Sequence, residues 1–99
     1  MAVLIVGSIA YDSVQSPEGS IDRALGGSAT YGGLSCRFVQ NLSKEGTTGL
    51  VGVVGEDFAE NDRYVLSSAG LNLAGLEVAE GETFRCCLLY TSDAADEHT

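Results

Sequence analysis

"ALGGSATYGG", residues 24–33, holds four glycines in ten positions, in two adjacent pairs. Glycine loses more conformational freedom on ordering than any other residue, so the Gly26-Gly27 pair needs a local reason. The stretch also separates two patterns. Before it the chain reads as short extended pieces; after it apolar residues recur at helical spacing. Three explanations fit such a position: a tight turn, a cradle for phosphate, or bare backbone against which a small ligand lies.

Upstream, "AVLIVG", residues 2–7, is a continuous apolar run ending in glycine. It predicts a strand buried on both faces, as in a parallel sheet. Ser8 to Asp12 follow at its carboxyl end, outside which open α/β sheets bind ligands. Asp12 is therefore placed to accept hydrogen bonds from a ligand hydroxyl. A solvated loop carboxylate or local cap explains the spacing equally well. "VQSPEGSIDRAL", residues 14–25, carries Pro17 and Gly19 and predicts a turn between two short strands, a hairpin-like flap off the main sheet.

Downstream, Ser28 to Leu42 predicts a helix with Tyr31, Leu34, Phe38 and Leu42 on its core face, capped by Ser28 or Thr30. Cys36 within it reads as a small buried apolar residue. "LVGVVG", residues 50–55, is a second all-apolar strand. The next segment predicts a helix with Asp57 and Glu60 as a capping box, Phe58, Val65 and Ala69 inward, and Gly70 as its stop. "LNLAGLEV", residues 71–78, is extended, "AEGE" turns, and "TFR" begins another strand. Strands alternating with helices predict a parallel α/β sheet with right-handed crossovers.

Composition narrows the function classes. The 99 residues suffice for one small domain, and the net charge is −9. Nucleic-acid binding needs Lys and Arg to neutralise phosphate, so this balance argues against DNA and RNA, and against an anionic membrane surface. No apolar run approaches a membrane span, nothing resembles a signal peptide, and the three cysteines have no metal-ligand or disulfide spacing. A reducing cytoplasm is the expected compartment. "VGSIAYD", residues 6–12, has one glycine where a dinucleotide fingerprint needs three, and no Walker loop occurs. The one histidine is His98, at the extreme end, so histidine catalysis is not built from residues 1–85. What remains is Asp12 and the glycine pair before a helix. A carboxylate acceptor beside backbone donors suits a polyol, whose hydroxyls both give and take hydrogen bonds; a structural turn is the even alternative.

"VLIVGSIAYDSV", "ALGGSATY", "LVGVVGEDF" and "GLEVAEGETFR" together resemble the amino-terminal part of the PfkB, or ribokinase-type, carbohydrate kinases, over residues 2–85 and in the family's order and spacing. The resemblance implies a ribokinase-like three-layer α/β/α fold (Rossmann-like) with a small β-sheet lid, its strands supplied by residues 14–25 and about 77–89. It implies ATP-dependent phosphorylation of a sugar hydroxyl, with Mg2+ and a monovalent cation as cofactors. A nucleoside kinase of the same family is the near alternative. A non-catalytic Rossmann-type nucleotide-binding module is the alternative from another class. By position, Asp12 would accept hydrogen bonds from substrate, Gly26 and Gly27 would present backbone to it, and Ser28 and Tyr31 would line the pocket. Many sugar-kinase members carry Asn where this chain has Tyr31, which weakens a simple ribose reading. The family's catalytic base, anion hole and ATP site lie in its carboxyl-terminal half, so no catalytic residue is assigned here and the chain is expected to be inactive alone. Lid strands in the family can pair between subunits, which allows a homodimer.

Composition changes after Arg85. "CLLYTSDAADE", residues 87–97, resembles the conceptual translation of a transposase adapter used in DNA sequencing libraries. We read residues 86–99 as such a tail, in which codon 86 gives Cys for a natural Trp and the natural chain continues from "TFRW". Residues 1–85 then carry eleven acidic and five basic side chains, a net of −6.

Overall fold

A computed structural model of the chain describes residues 1–89. The elements run β1 (Ala2–Val6), β2 (Ala10–Ser16), β3 (Gly19–Gly26), α1 (Ser28–Ser43), β4 (Thr47–Gly55), α2 (Glu60–Ser68), β5 (Leu71–Ala79) and β6 (Phe84–Leu89). Two three-stranded sheets result. The main sheet, in order β1-β4-β5, is wholly parallel. The second, in order β3-β2-β6, is the lid: β2 and β3 form an antiparallel hairpin, and β6 lies parallel to β2. The chain is thus a small α/β domain with the expected flap.

The lid differs in extent from its sequence reading. It begins at Ala10, not Val14, and its third strand begins at Phe84, while residues 77–79 close β5 of the main sheet. Residues 86–89, read above as the start of the adapter, continue β6 along β2. That ladder uses backbone groups, which any non-proline residue supplies. Residues 90–99 of the same tail lie outside the described residues.

The main sheet advances in one direction, from β1 to β4 to β5. Right-handed crossovers that all step the same way put their helices on the same face. Accordingly α1 packs on β1, β4 and β5, and α2 packs on β5. Ile9, Tyr11, Ala29, Leu50, Val54, Phe58, Leu66 and Leu71 form the core beneath them. The opposite face is bare among the described residues. Leu4, Val6 and Val53 are 71%, 74% and 55% exposed there. This corrects the expectation that the first strand is buried on both sides: the apolar run is real, but only its Val3 and Ile5 side is covered.

β5 shows how apolar spacing and sheet geometry are reconciled. Its apolar residues step by two, three and two, from Leu71 through Leu73 and Leu76 to Val78. The register against β4 slips by one residue between Asn72 and Gly75. This bulge resets the pleat, so Leu71, Leu73 and Leu76 all reach the core side.

Leu34 and Phe58 pack on the core as their spacing suggests, but the other large apolar residues expected inward do not. On α1, Tyr31, Phe38 and Leu42 are exposed, while Ala29, Thr30, Gly33 and Gln40 are buried. Close approach decides this. A Cβ on Gly33 would stand 2.5 Å from Leu50 Cδ2, so the helix comes down on the sheet through its small residues. Buried Gln40 is satisfied in turn: its amide donates to the Thr47 carbonyl at 3.0 Å, and its Oε1 accepts from Thr48 at 2.6 Å. Cys36, half-buried on this helix, is a free thiol. On α2 the buried residue is Leu66, not Val65, which is 45% exposed. Gly70, at φ 97°, ends that helix as expected.

Leu66→Ala should therefore lower unfolding stability by about 2–5 kcal/mol, whereas Val65→Ala should cost under about 1 kcal/mol. Urea titration of both variants checks this; equal losses would restore the face read from the sequence.

Candidate functional site

Asp12 does not sit in a loop after β1. It lies within β2, paired with Ala24 of β3 on one side and Cys86 of β6 on the other. Strand alternation turns Tyr11 and Asp12 to opposite faces. Tyr11 goes into the core, at 1% exposure, and Asp12 is half-buried on the other side.

Gly26 ends β3 directly beside that carboxylate. A Cβ on Gly26 would lie 2.1 Å from Asp12 Oδ2 and 2.8 Å from its Cγ. Any side chain here would displace the carboxylate. Gly27 serves differently. At φ 99° it occupies backbone space that L-residues avoid, and a Cβ would come within 2.5 Å of the Ser8 carbonyl oxygen. Gly26 therefore makes room for Asp12, and Gly27 makes the turn into α1.

The start of α1 is capped from another element. Gly27 is the N-cap and contributes no side chain, so neither Ser28 nor Thr30 caps the helix as the sequence suggested. Ser8, between β1 and β2, takes the role. Its Oγ accepts from Ser28 N at 3.0 Å and its carbonyl accepts from Ala29 N at 2.9 Å. Ser8 N donates back to Ser28 Oγ at 3.1 Å. This reciprocal pair ties the end of β1 to the head of α1 and uses two of the helix's free donors. It also explains why helical signals around residue 28 missed the cap: the partner lies twenty residues away.

Of the five residues picked from the sequence, the structure brings Asp12, Gly26, Gly27 and Ser28 to one corner, where β2, β3 and α1 meet. Asp12 Oδ atoms accept no hydrogen bond among the described residues, which leaves an open acceptor. Tyr31 stands one turn into α1, bonded through its backbone N–H to the Gly27 carbonyl at 3.1 Å, with a ring 58% exposed. Thr30, buried in the same turn, has a hydroxyl without a partner among the described residues.

A cleft of about 520 Å³ lies on the bare side of the sheet, at the carboxyl ends of β1, β4 and β5, walled by Val6, Val53, Glu77 and the lid's Phe84 and reaching Ser8. Asp12 and Gly26 do not line it. Sequence reasoning missed it because its walls come from strands read as covered.

Asp57 departs most from its sequence reading. It caps nothing on α2, whose N-cap is Ala59. Its Oδ1 accepts from both Thr83 N and Thr83 Oγ, each at 2.7 Å, and its Oδ2 is ion-paired with Arg85. The Thr83 hydroxyl and amide, then the charges of Arg85 and Arg23, hold its carboxyl below the ordinary 3.8. Gly55 closes the same junction: a Cβ there would meet Gly81 O and Thr83 N at 2.3 Å. The cap of α2 is supplied instead by Tyr11, whose hydroxyl accepts from Ala59 N at 3.0 Å and donates to Asp62 Oδ2 at 2.5 Å.

No family model and no curated protein matches the chain. Solved structures do. The nucleoside kinase of Burkholderia thailandensis in complex with inosine superposes with a TM-score of 0.73 at 19% identity, covering 94% of this chain and 33% of that one. The Methanocaldococcus jannaschii nucleoside kinase, an archaeal member of the ribokinase family, gives 0.70 at 23% identity, over 93% and 33%. The ribokinase of Cryptococcus neoformans in complex with ADP gives 0.69 at 23%, over 92% and 31%. The chain thus spans about a third of the length of these structures and shares their fold, a parallel sheet with helices.

Two outcomes follow at this site. Because the folded-state pKa of Asp57 is depressed, its bonds contribute stability above its unfolded pKa and lose it as pH falls through the lower folded value. The wild type should therefore lose more stability than Asp57→Asn between pH 6 and about pH 3, in urea titrations across that range. Gly55→Ala should destabilise by about 1–3 kcal/mol or more, because the obstacle is backbone and cannot rotate away; an unchanged urea midpoint would contradict that packing.

Proposed function

We propose that residues 1–85 form the amino-terminal part of a ribokinase-family kinase that phosphorylates a hydroxyl of a sugar or nucleoside with ATP. The observation that carries this reading is the Asp12 carboxylate laid against side-chain-free Gly26 where the lid meets the head of α1. A carboxylate with open lone pairs takes hydrogen bonds from vicinal hydroxyls. The bare backbone beside it lets a flat sugar ring approach closely. Ser28 and Tyr31 border the same corner, and Tyr31 favours a ligand with an aromatic base over a bare ribose, because a phenol ring offers a stacking face that an amide lacks. We therefore place a nucleoside first and a simple sugar second.

The residues of this chain bind and orient; they do not transfer the phosphoryl group. Among the described residues no three His, Cys, Asp or Glu side chains converge as a metal-ion site. The first two donors of α1 are already taken by Ser8, so that helix start does not fit a nucleotide phosphate. The base, the phosphate cradle and the cofactor sites belong, in this reading, to natural sequence beyond codon 85, and residues 86–99 belong to the adapter. The bare face of the main sheet supports the reading, since Leu4, Val6 and Val53 there await cover. The expected setting is the cytoplasm, with a lid-mediated homodimer of the complete enzyme.

The test is to read the natural DNA past codon 85, express the extended protein and measure ADP formation against a panel of nucleosides and sugars. The extended protein should turn over a nucleoside, and its Asp12→Ala variant should lose about tenfold to a hundredfold in affinity, the value of a charge-assisted hydrogen bond. The 99-residue chain should show no turnover. An extended protein inactive on every nucleoside and sugar would refute the kinase reading.

A further inference from the structure

One short segment of the main domain holds all three lid strands. It runs from Asp57 to Asp62, the loop after β4 and the first turn of α2. Toward β2, Ala59 N and Asp62 Oδ2 bind the Tyr11 hydroxyl, and Phe58 stacks on the Tyr11 ring at 5.6 Å between centroids and 28° between planes. Toward β3, the Asp57 carbonyl accepts from Arg23 Nη2 at 2.5 Å. Toward β6, the Asp57 carboxylate binds Thr83 and Arg85. The two arginines also lie over the Tyr11 ring, at 4.4 and 5.2 Å from its centroid. Arg23 is held there at φ 67°, at a bulge where β3 gains a residue against β2. A non-glycine residue in that region is uncommon and persists where surrounding contacts over-determine it.

We propose that this segment is a latch that sets the lid against the main sheet, and that Asp57 and Tyr11 are positioning residues for Asp12. Tyr11 and Asp12 are neighbours on β2 with opposite directions. Whatever fixes Tyr11 in the core fixes the height of the Asp12 carboxylate over Gly26. The segment touches neither Asp12 nor Gly26; it acts through the strand. The role of Asp12 toward a ligand rests on the kinase reading above, whereas the latch itself does not.

The test uses the full chain, isotope-labelled, with Asp57→Asn and Tyr11→Phe. Amide hydrogen exchange in β2, β3 and β6 should quicken at least tenfold in both variants, with β1 and β4 changing less than twofold. Unchanged lid exchange, or equal quickening in every strand, would overturn the latch. If either variant unfolds throughout, Arg85→Gln, which removes the ion pair and the guanidinium over the Tyr11 ring but keeps Asp57 and Tyr11, decides by the same readout. The positioning role has its own readout. Asp57→Asn should shift the Gly26 signals in the wild-type background and leave them unmoved in the Asp12→Ala background, since the effect passes through the carboxylate. Equal shifts in both backgrounds would mark a general strand distortion and overturn it. A titration with inosine separates this from function. If inosine binds the chain, Asp57→Asn should weaken it about tenfold, and unaltered affinity would overturn the positioning role. If neither inosine nor ribose binds, the nucleoside and sugar reading suffers, while the exchange and shift measurements still decide the latch.

Discussion

The phenolic oxygen of Tyr11 is the point at which two sheets become one structure. Its ring is buried among Phe58 and two guanidinium groups, and its hydroxyl closes the exposed start of α2 by accepting one backbone donor and binding one carboxylate. A lid of three strands has little core of its own and cannot hold a defined angle without such an anchor. A buried hydroxyl left without partners would be costly, so the bond to Asp62 and the bond from Ala59 are conditions for the ring to be there at all. Asp57 completes the junction from the other side through Thr83 and Arg85. The chain carries five basic side chains, and Arg23 and Arg85 both stand at this one place.

Around that junction the remaining geometry is set by what can be left out. Gly26, Gly33 and Gly55 each sit where a single methyl group would collide with a carboxylate, a leucine or a backbone turn. These contacts seat the Asp12 carboxylate of β2 against the end of β3, the helix onto the sheet, and the β5–β6 turn onto the end of β4. Several of the glycines thus mark close approaches, and one of these sets bare backbone against a half-buried carboxylate that accepts no hydrogen bond among the described residues.

Much of this was legible in the sequence. The parallel strands, the flap, both helices and the association of Asp12 with the glycine pair follow from apolar runs, turn residues and spacing. Three things were not. The inward faces of α1 and α2 were misread because the largest apolar residues, Phe38 and Leu42 among them, stay outside while Gly33 and Ala29 go in; close packing selects small residues, and periodicity cannot see size. The caps were misread because Ser8 and Tyr11 cap helices far along the chain, whereas a capping box is a local pattern. Burial of the first strand was misread because a covered second face needs a layer that the described residues do not contain. In each case the missing information was tertiary. The Pro17 turn and the Gly70 stop, which depend on local backbone alone, came out as expected.

On the kinase reading, a hydroxylated ligand meets this chain at Asp12 and the glycine pair. Amide and methine shift mapping of the labelled chain during titration with inosine, and separately with ribose, tests that directly. The perturbed signals should be those of Asp12, Gly26, Gly27, Ser28 and Tyr31, with inosine acting at lower concentration than ribose. Perturbations centred instead on Val6, Val53 and Phe84 would move the site to the cleft on the bare face of the sheet and contradict the assignment.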